Sequence, residues 1–216
     1  MKYKFEFWNS HRKKFMGEKS AIRRWDLWNN ESRLKDFENG IINTSEDLAK
    51  ENHEDHKAYE FSVLEVNDDL FCSFIINPSN KHAEVNFYDP GCRKYLTYLF
   101  TETKPKEQLF LREIWYYHFT KEDTNQEEYR MHYVFDEEGN VSARKYDDKN
   151  QKILDYESKE PMDTRVLYEP YPEFGEYEGI IKLDREIPFI EDTIKKYFFK
   201  NGKRFYKDED GNIIED

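Results

Sequence analysis

The side chains that could do chemistry are few, and their spacing suits none. His53-Glu54-Asp55-His56 sets two imidazoles around two carboxylates, the residue types of a zinc site. A zinc-binding helix presents two histidines at i and i+4, on one face, with a Glu beside the first as base. Here the separation is i and i+3 and no third ligand is evident, so the segment reads as a charged helix end. Asp208-Glu209-Asp210-Gly211 holds part of a calcium-loop pattern, but Tyr206 stands where the first oxygen ligand belongs. His82, His118 and His132 fall in or beside strand-like segments, and the sequence does not bring them together. Glu113, Glu128 and Asp184 are candidates for a carboxylate pair inside a barrel, yet 46 acidic residues make chance pairs certain. There is no Gly-rich phosphate loop, no G-x-S-x-G elbow and no Cys–His pairing. The expectation is no catalytic residue, no metal and no cofactor.

Two cysteines, Cys72 and Cys92, are too few for a disulfide scaffold and lack zinc-type pairing. Both read as reduced thiols, with Cys72 in the apolar run 70–76 and therefore in the core. The N-terminal segment carries no apolar run of signal-peptide type, and no segment reaches the roughly 20 apolar residues of a membrane-spanning helix. The expected location is the cytoplasm, with no membrane partner.

Hydrophobic and charged residues each make up 37%, a balance that alone would suggest disorder. The aromatic content of 17% argues the reverse, because a disordered chain is poor in the large side chains that offset ordering entropy. The chain therefore reads as one folded domain over 1–216, with a core of Phe, Tyr and Trp. A formal net charge of -12 disfavours nucleic acid and anionic membrane, and favours a basic partner. The one strongly positive run, His11-Arg12-Lys13-Lys14, reads as solvated surface.

Residues 1–57 read as a strand and helices. Tyr3, Phe5 and Phe7 alternate with polar neighbours, which predicts a half-buried strand over 2–8. Ile22, Trp25, Trp28, Leu34 and Phe37 follow helical spacing, which predicts a helix over 20–37 capped by Ser20, interrupted near Asn29-Asn30 and stopped by Gly40. The two tryptophans share a face and read as core anchors. Thr44 or Ser45 caps a second helix to about Asp55. From Tyr59 the period becomes two, with strands at 59–66, 70–76, 83–88, 94–101, 108–119, 129–135, 141–146 and 152–157. Turn residues separate them, which predicts an α+β fold: an antiparallel meander over 58–157, as a curved sheet or half-barrel, with the N-terminal helices against it. Residues 158–216 read as irregular loop, a short helix at 189–199 and a terminal hairpin.

The turn Asp136-Glu137-Glu138-Gly139-Asn140 is echoed by Asp208-Glu209-Asp210-Gly211-Asn212, each between an aromatic or basic residue and an aliphatic one. Such units resemble the short hairpin repeats of bacterial antitoxin-like proteins and toxin-associated YD-repeat proteins. The whole profile, a small, strongly acidic single domain without catalytic motif, resembles the immunity proteins of bacterial polymorphic or contact-dependent toxin systems. That resemblance implies a noncatalytic protein that binds a cognate basic toxin and blocks its active site. A β-barrel-like small-ligand-binding protein or enzyme is the alternative, and a module that self-associates by sheet edges the third reading. Under the first reading, partner-binding residues are sought among acidic turns and loop aromatics: Asp136, Glu137, Glu138, Asp147, Asp148, Glu169, Tyr171, Glu173, Phe174 and Tyr177.

Overall fold

The computed structural model describes residues 1–119, 126–148, 150–183, 185, 187 and 213, with the backbone of 197–200, 203–207 and 214–215. The eight strands predicted between 59 and 157 all form, each within three residues of its expected ends: β4 (Tyr59–Leu64), β5 (Leu70–Asn77), β6 (His82–Tyr88), β7 (Lys94–Lys104), β8 (Gln108–His118), β9 (Tyr129–Phe135), β10 (Val141–Asp147) and β11 (Lys152–Glu157). Each pairs antiparallel with the next, giving the meander. β1 (Lys2–Lys4) adds to the outer edge of β4, and β12 (Tyr168–Pro170) pairs with the start of β8. The sheet is open, with β1 and β11 at its two ends, so it is not closed into a barrel. Register shifts at Val63/Leu64, Phe87/Tyr88, Leu99/Phe100 and Glu102/Lys104 mark β-bulges, which bend a strand and increase its twist.

Alternation sends every second side chain to one core face. One row across the sheet runs Phe61, Phe74, Val85, Tyr98, Ile114, Tyr133, Ala143 and Tyr156, each residue directly opposite the next. All but Tyr156 are buried. Residues 162–183 cross this face. Tyr177 lies 4.3 Å from Phe61, and Tyr98 donates its hydroxyl to the Leu183 carbonyl at 2.9 Å. The turn before β10 is fixed by the same segment. Gly139, at φ 93, would bring an added Cβ within 2.4 Å of the Met162 carbonyl, so only glycine fits there.

The N-terminal third departs from the expected boundaries. Only Lys2–Lys4 of the expected 2–8 strand joins the large sheet, and β2 (Trp8–Asn9) instead forms a small hairpin with β3 (Lys14–Phe15). Gly17, not Ser20, caps α1 (Glu18–Asn29). Asn30 adopts the left-handed conformation that ends α1, and Asp26 accepts the Arg33 and Leu34 amides at 2.8 and 3.0 Å to start α2 (Leu34–Glu38). The expected single helix is thus two. α3 (Ser45–Glu54) begins as expected, at a capping box in which Thr44 and Asp47 each accept the other's amide at 3.1 Å. Trp25 is buried and Trp28 packs against the core as a half-buried anchor.

At the C-terminus, 188–196 lie outside the described residues. The end of the expected 189–199 helix is instead strand: β13 (Tyr197–Lys200) pairs with β14 (Lys203–Lys207), and β14 with β15 (Ile213–Glu215). The terminal hairpin is therefore a three-stranded sheet. Its aromatic pairs, such as Tyr197 opposite Tyr206, satisfy a period of two as readily as the helical spacing read into 190–198.

Candidate functional site

The ten candidate partner residues lie at separate places on the fold. The turns at 136–140 and 148–151 close opposite ends of β10, whose seven residues span roughly 20 Å. Asp136 turns inward on its own loop, accepting the Asn140 amide at 2.8 Å and side-chain amide at 2.7 Å. Asp147 treats Asn150 alike, at 3.0 and 2.8 Å. These hydrogen bonds hold both carboxyls below the ordinary aspartate range. Glu137 accepts the Tyr168 hydroxyl at 2.8 Å, Asp148 pairs with Arg130 at 3.4 Å, and Glu169 is tied to the buried guanidinium of Arg185. Glu138 and Glu173 are exposed, and their side chains make no hydrogen bond or ion pair among the described residues.

The loop aromatics pack inward, Tyr177 fully and Tyr171 and Phe174 in part. Tyr177 is 0% exposed, Phe174 stacks on Phe5 at 5.4 Å, and Tyr171 lies 5.7 Å from both His53 and His56. The core face of β4 and β5 needs a cover, and this proline-stiffened loop supplies its rings to it. His53 is hydrogen-bonded to the Tyr59 hydroxyl at 2.8 Å, which lies 3.3 Å from that of Tyr177, while His56 pairs with Glu102 at 2.8 Å. The two histidines thus serve different partners. No group of three or more metal-ligating side chains occurs among the described residues. Glu113 and Glu128 are not a pair: Glu113 is bonded to His132, and Glu128 lies 3.9 Å from His118. Asp184 and Asp208 to Gly211 lie outside the described residues. Cys72 and Cys92 are both free thiols, and burial pushes each pKa up.

The sheet's other face carries what the sequence did not reveal. Two registered rows cross it. The first runs Glu60, Ile75, Glu84, Leu99, Glu113, Val134, Ser142 and Glu157; the second runs Ser62, Ser73, Asn86, Thr97, Trp115, His132, Arg144 and Asp155. At the β4 end this polar face is covered. Arg24 of α1 reaches Glu60 at 3.4 Å, and Ser62 donates to the Glu6 carbonyl at 3.0 Å. Glu60 is 3% exposed, its Oε1 has no hydrogen-bond partner among the described residues, and burial pushes its pKa up to about 7 against the pull of Arg24. In the middle, a chain of hydrogen bonds orders the face: Thr97 donates to Asn86 at 2.8 Å, Asn86 donates to Glu84 at 2.5 Å, and His82 lies 3.3 Å from Glu84. Burial opposes ionisation of Glu84, but the bonds from His82 and Asn86 outweigh it and leave its pKa lowered.

Over β8–β10 the same face carries an aromatic platform. The His132 ring stacks on Trp115 at 3.9 Å and 10° and is oriented by Glu113 at 2.9 Å. Trp115 lies 6.4 Å from Tyr117 and 6.2 Å from Tyr146, both near parallel to it. Arg130 sits over Tyr146 at 4.8 Å and Lys94 over Tyr117 at 5.3 Å. These rings are half-buried and belong to neither hydrophobic cluster. Carboxylates neutralise the cations at the margin: Glu127 and Asp148 engage Arg130, and Asp155 engages both ends of the Arg144 fork at 2.6 and 3.2 Å. Glu113, Trp115 and Tyr117 alternate along β8, so their shared side was legible. Their meeting with His132 and Tyr146 depends on registers that the ten residues between β8 and β9 conceal.

Compared with protein-family profiles, curated proteins and solved structures, the chain matches none. Among the described residues no helix is long and apolar enough to cross a membrane.

Proposed function

We propose that this chain is a noncatalytic binding protein that neutralises a basic protein, in the manner of an immunity protein set against a bacterial toxin, and that it grips its partner with the platform on β8–β10. The carrying observation is the stacked set of Trp115, His132, Tyr117 and Tyr146 with Arg130 above it. Trp, Tyr and Arg are the residues that dominate binding energy at protein interfaces, where rigid rings lose little entropy on burial. Here they stand on a hydrogen-bonded sheet, held in place before any partner arrives. The carboxylates around them, with a net charge of -12, favour a basic partner and accelerate its encounter.

The test begins with capture of a partner from the native host, or co-expression with the neighbouring gene product. Trp115→Ala should weaken the complex by about 2 kcal/mol or more, roughly 30-fold, through faster dissociation. Reversing the exposed charges of Glu138 and Asp148 should slow association and flatten its salt dependence. A complex indifferent to Trp115→Ala and Tyr146→Ala, or copurification of a small apolar molecule in place of a protein, would contradict the reading.

A further inference from the structure

We infer that β11 is a docking edge for an extended segment of the partner in which basic and apolar residues alternate. This rests on the binding reading above and adds how the partner is held. β11 pairs with β10 along one side over all six residues, and its far side has no strand partner among the described residues. Such an edge presents a row of free N–H and C=O groups, the template for strand addition. All six residues are exposed, and they divide by face. Ile153, Asp155 and Glu157 continue the platform side, opposite Tyr146, Arg144 and Ser142. Lys152, Leu154 and Tyr156 continue the core side, where Leu154 is 45% and Tyr156 44% exposed.

The chemistry of the two faces selects the occupant. An added strand sets its alternate side chains against Asp155 and Glu157 on one face and against Leu154 and Tyr156 on the other, which favours cations in the first row and apolar groups in the second. A second copy of β11 does not meet this demand. Antiparallel pairing about a two-fold axis normal to the sheet brings Ile153, Asp155 and Glu157 to the platform face again, with no cation among them, and joins two chains of net charge -12. A basic segment relieves both conflicts. The row Trp115, His132, Arg144, Asp155 leads from the platform to the edge, so the two lie on one continuous face of the sheet.

The probe is an eight-residue peptide alternating Lys and Val, with a control of the same sequence N-methylated at every second residue. The peptide should slow amide hydrogen exchange across 152–157, and the control should bind at least about tenfold more weakly, since it keeps the charge and loses the donors. Leu154→Lys with Tyr156→Lys should cost a similar factor in an exposed strand whose folding does not depend on either side chain. Equal binding of peptide and control, or unchanged exchange at 152–157 with peptide bound, would overturn the inference. So would a captured partner whose complex is lost on Trp115→Ala yet unaffected by the Leu154/Tyr156 double change, a result that leaves the binding reading standing. Strand addition by the peptide in a chain that captures no protein would support the edge while removing the partner reading.

Discussion

β4 and β11 are six-residue strands of one sheet, and they live in opposite surroundings. Every residue of β4 is buried and every residue of β11 exposed. The difference does not lie in strand formation, since both are registered antiparallel along their length. It lies in what covers them. β4 has β1 along its edge, Tyr177 and α3 on its core face and Arg24 of α1 on the polar face. β11 has only β10. Phe61 and Tyr156 stand in the same transverse row, at 0% and 44% exposure, and the cover thins between them. One end of the meander is thus buried on both faces, while the strand at the other end stands exposed.

The contrast can be broken by truncation. Phe61→Ala should cost about 3–5 kcal/mol, because it leaves a cavity beneath Tyr177, whereas Leu154→Ala should stay within about 0.5 kcal/mol. Urea denaturation of both variants checks this, and similar costs would mean that β11 is covered. The buried carboxyl sharpens it further. Glu60 titrates near 4.5 when unfolded and at about 7 when folded, so the folded state holds its proton longer. Its stabilising contribution is full below pH 4.5 and is lost as pH rises through 7, about 3 kcal/mol in all. Glu60→Gln should therefore gain stability relative to the parent between pH 4 and pH 8, and parallel stability profiles would refute the buried acid.

The smallest effect belongs to His53. Burial under Tyr171 and Phe174 lowers its pKa, with Glu173 and Glu54 pulling upward and Lys106 and His56 downward. The unfolded state then binds more protons near pH 6.5, so the contribution of neutral His53 is present above that pH and fades as pH falls below it. His53→Gln should remove this acid-side loss and leave the Glu60 profile in place, as melting temperatures from pH 5 to 8 would reveal.

The meander was legible because its signals are local: period-two alternation and Asp, Asn, Gly and Pro at the turns. The helical break was half legible, since Asn30 marks the end of α1 but the capping of α2 by Asp26 depends on the folded turn. The site was less so. The sequence left open whether Tyr171, Phe174 and Tyr177 face solvent or pack back on the sheet, since proline and glycine surround them; tertiary demand for a cover on the core face drew them in. Trp115 and His132 are 17 positions apart in sequence and 3.9 Å apart in space. Only strand register joins them, and register is fixed by burial of the opposite face.

On the proposed reading the platform face of β8–β10, with the exposed strand β11, is the contact surface. Hydrogen exchange across the whole chain, with and without its captured protein partner, tests this most directly. The account predicts slowed exchange in β8–β11, centred on 115–117, 130–132 and 144–146 and extending into 152–157, with α1 and α3 unchanged. Protection confined to the helices or to the 169–177 loop, with β8–β11 unaltered, would contradict it.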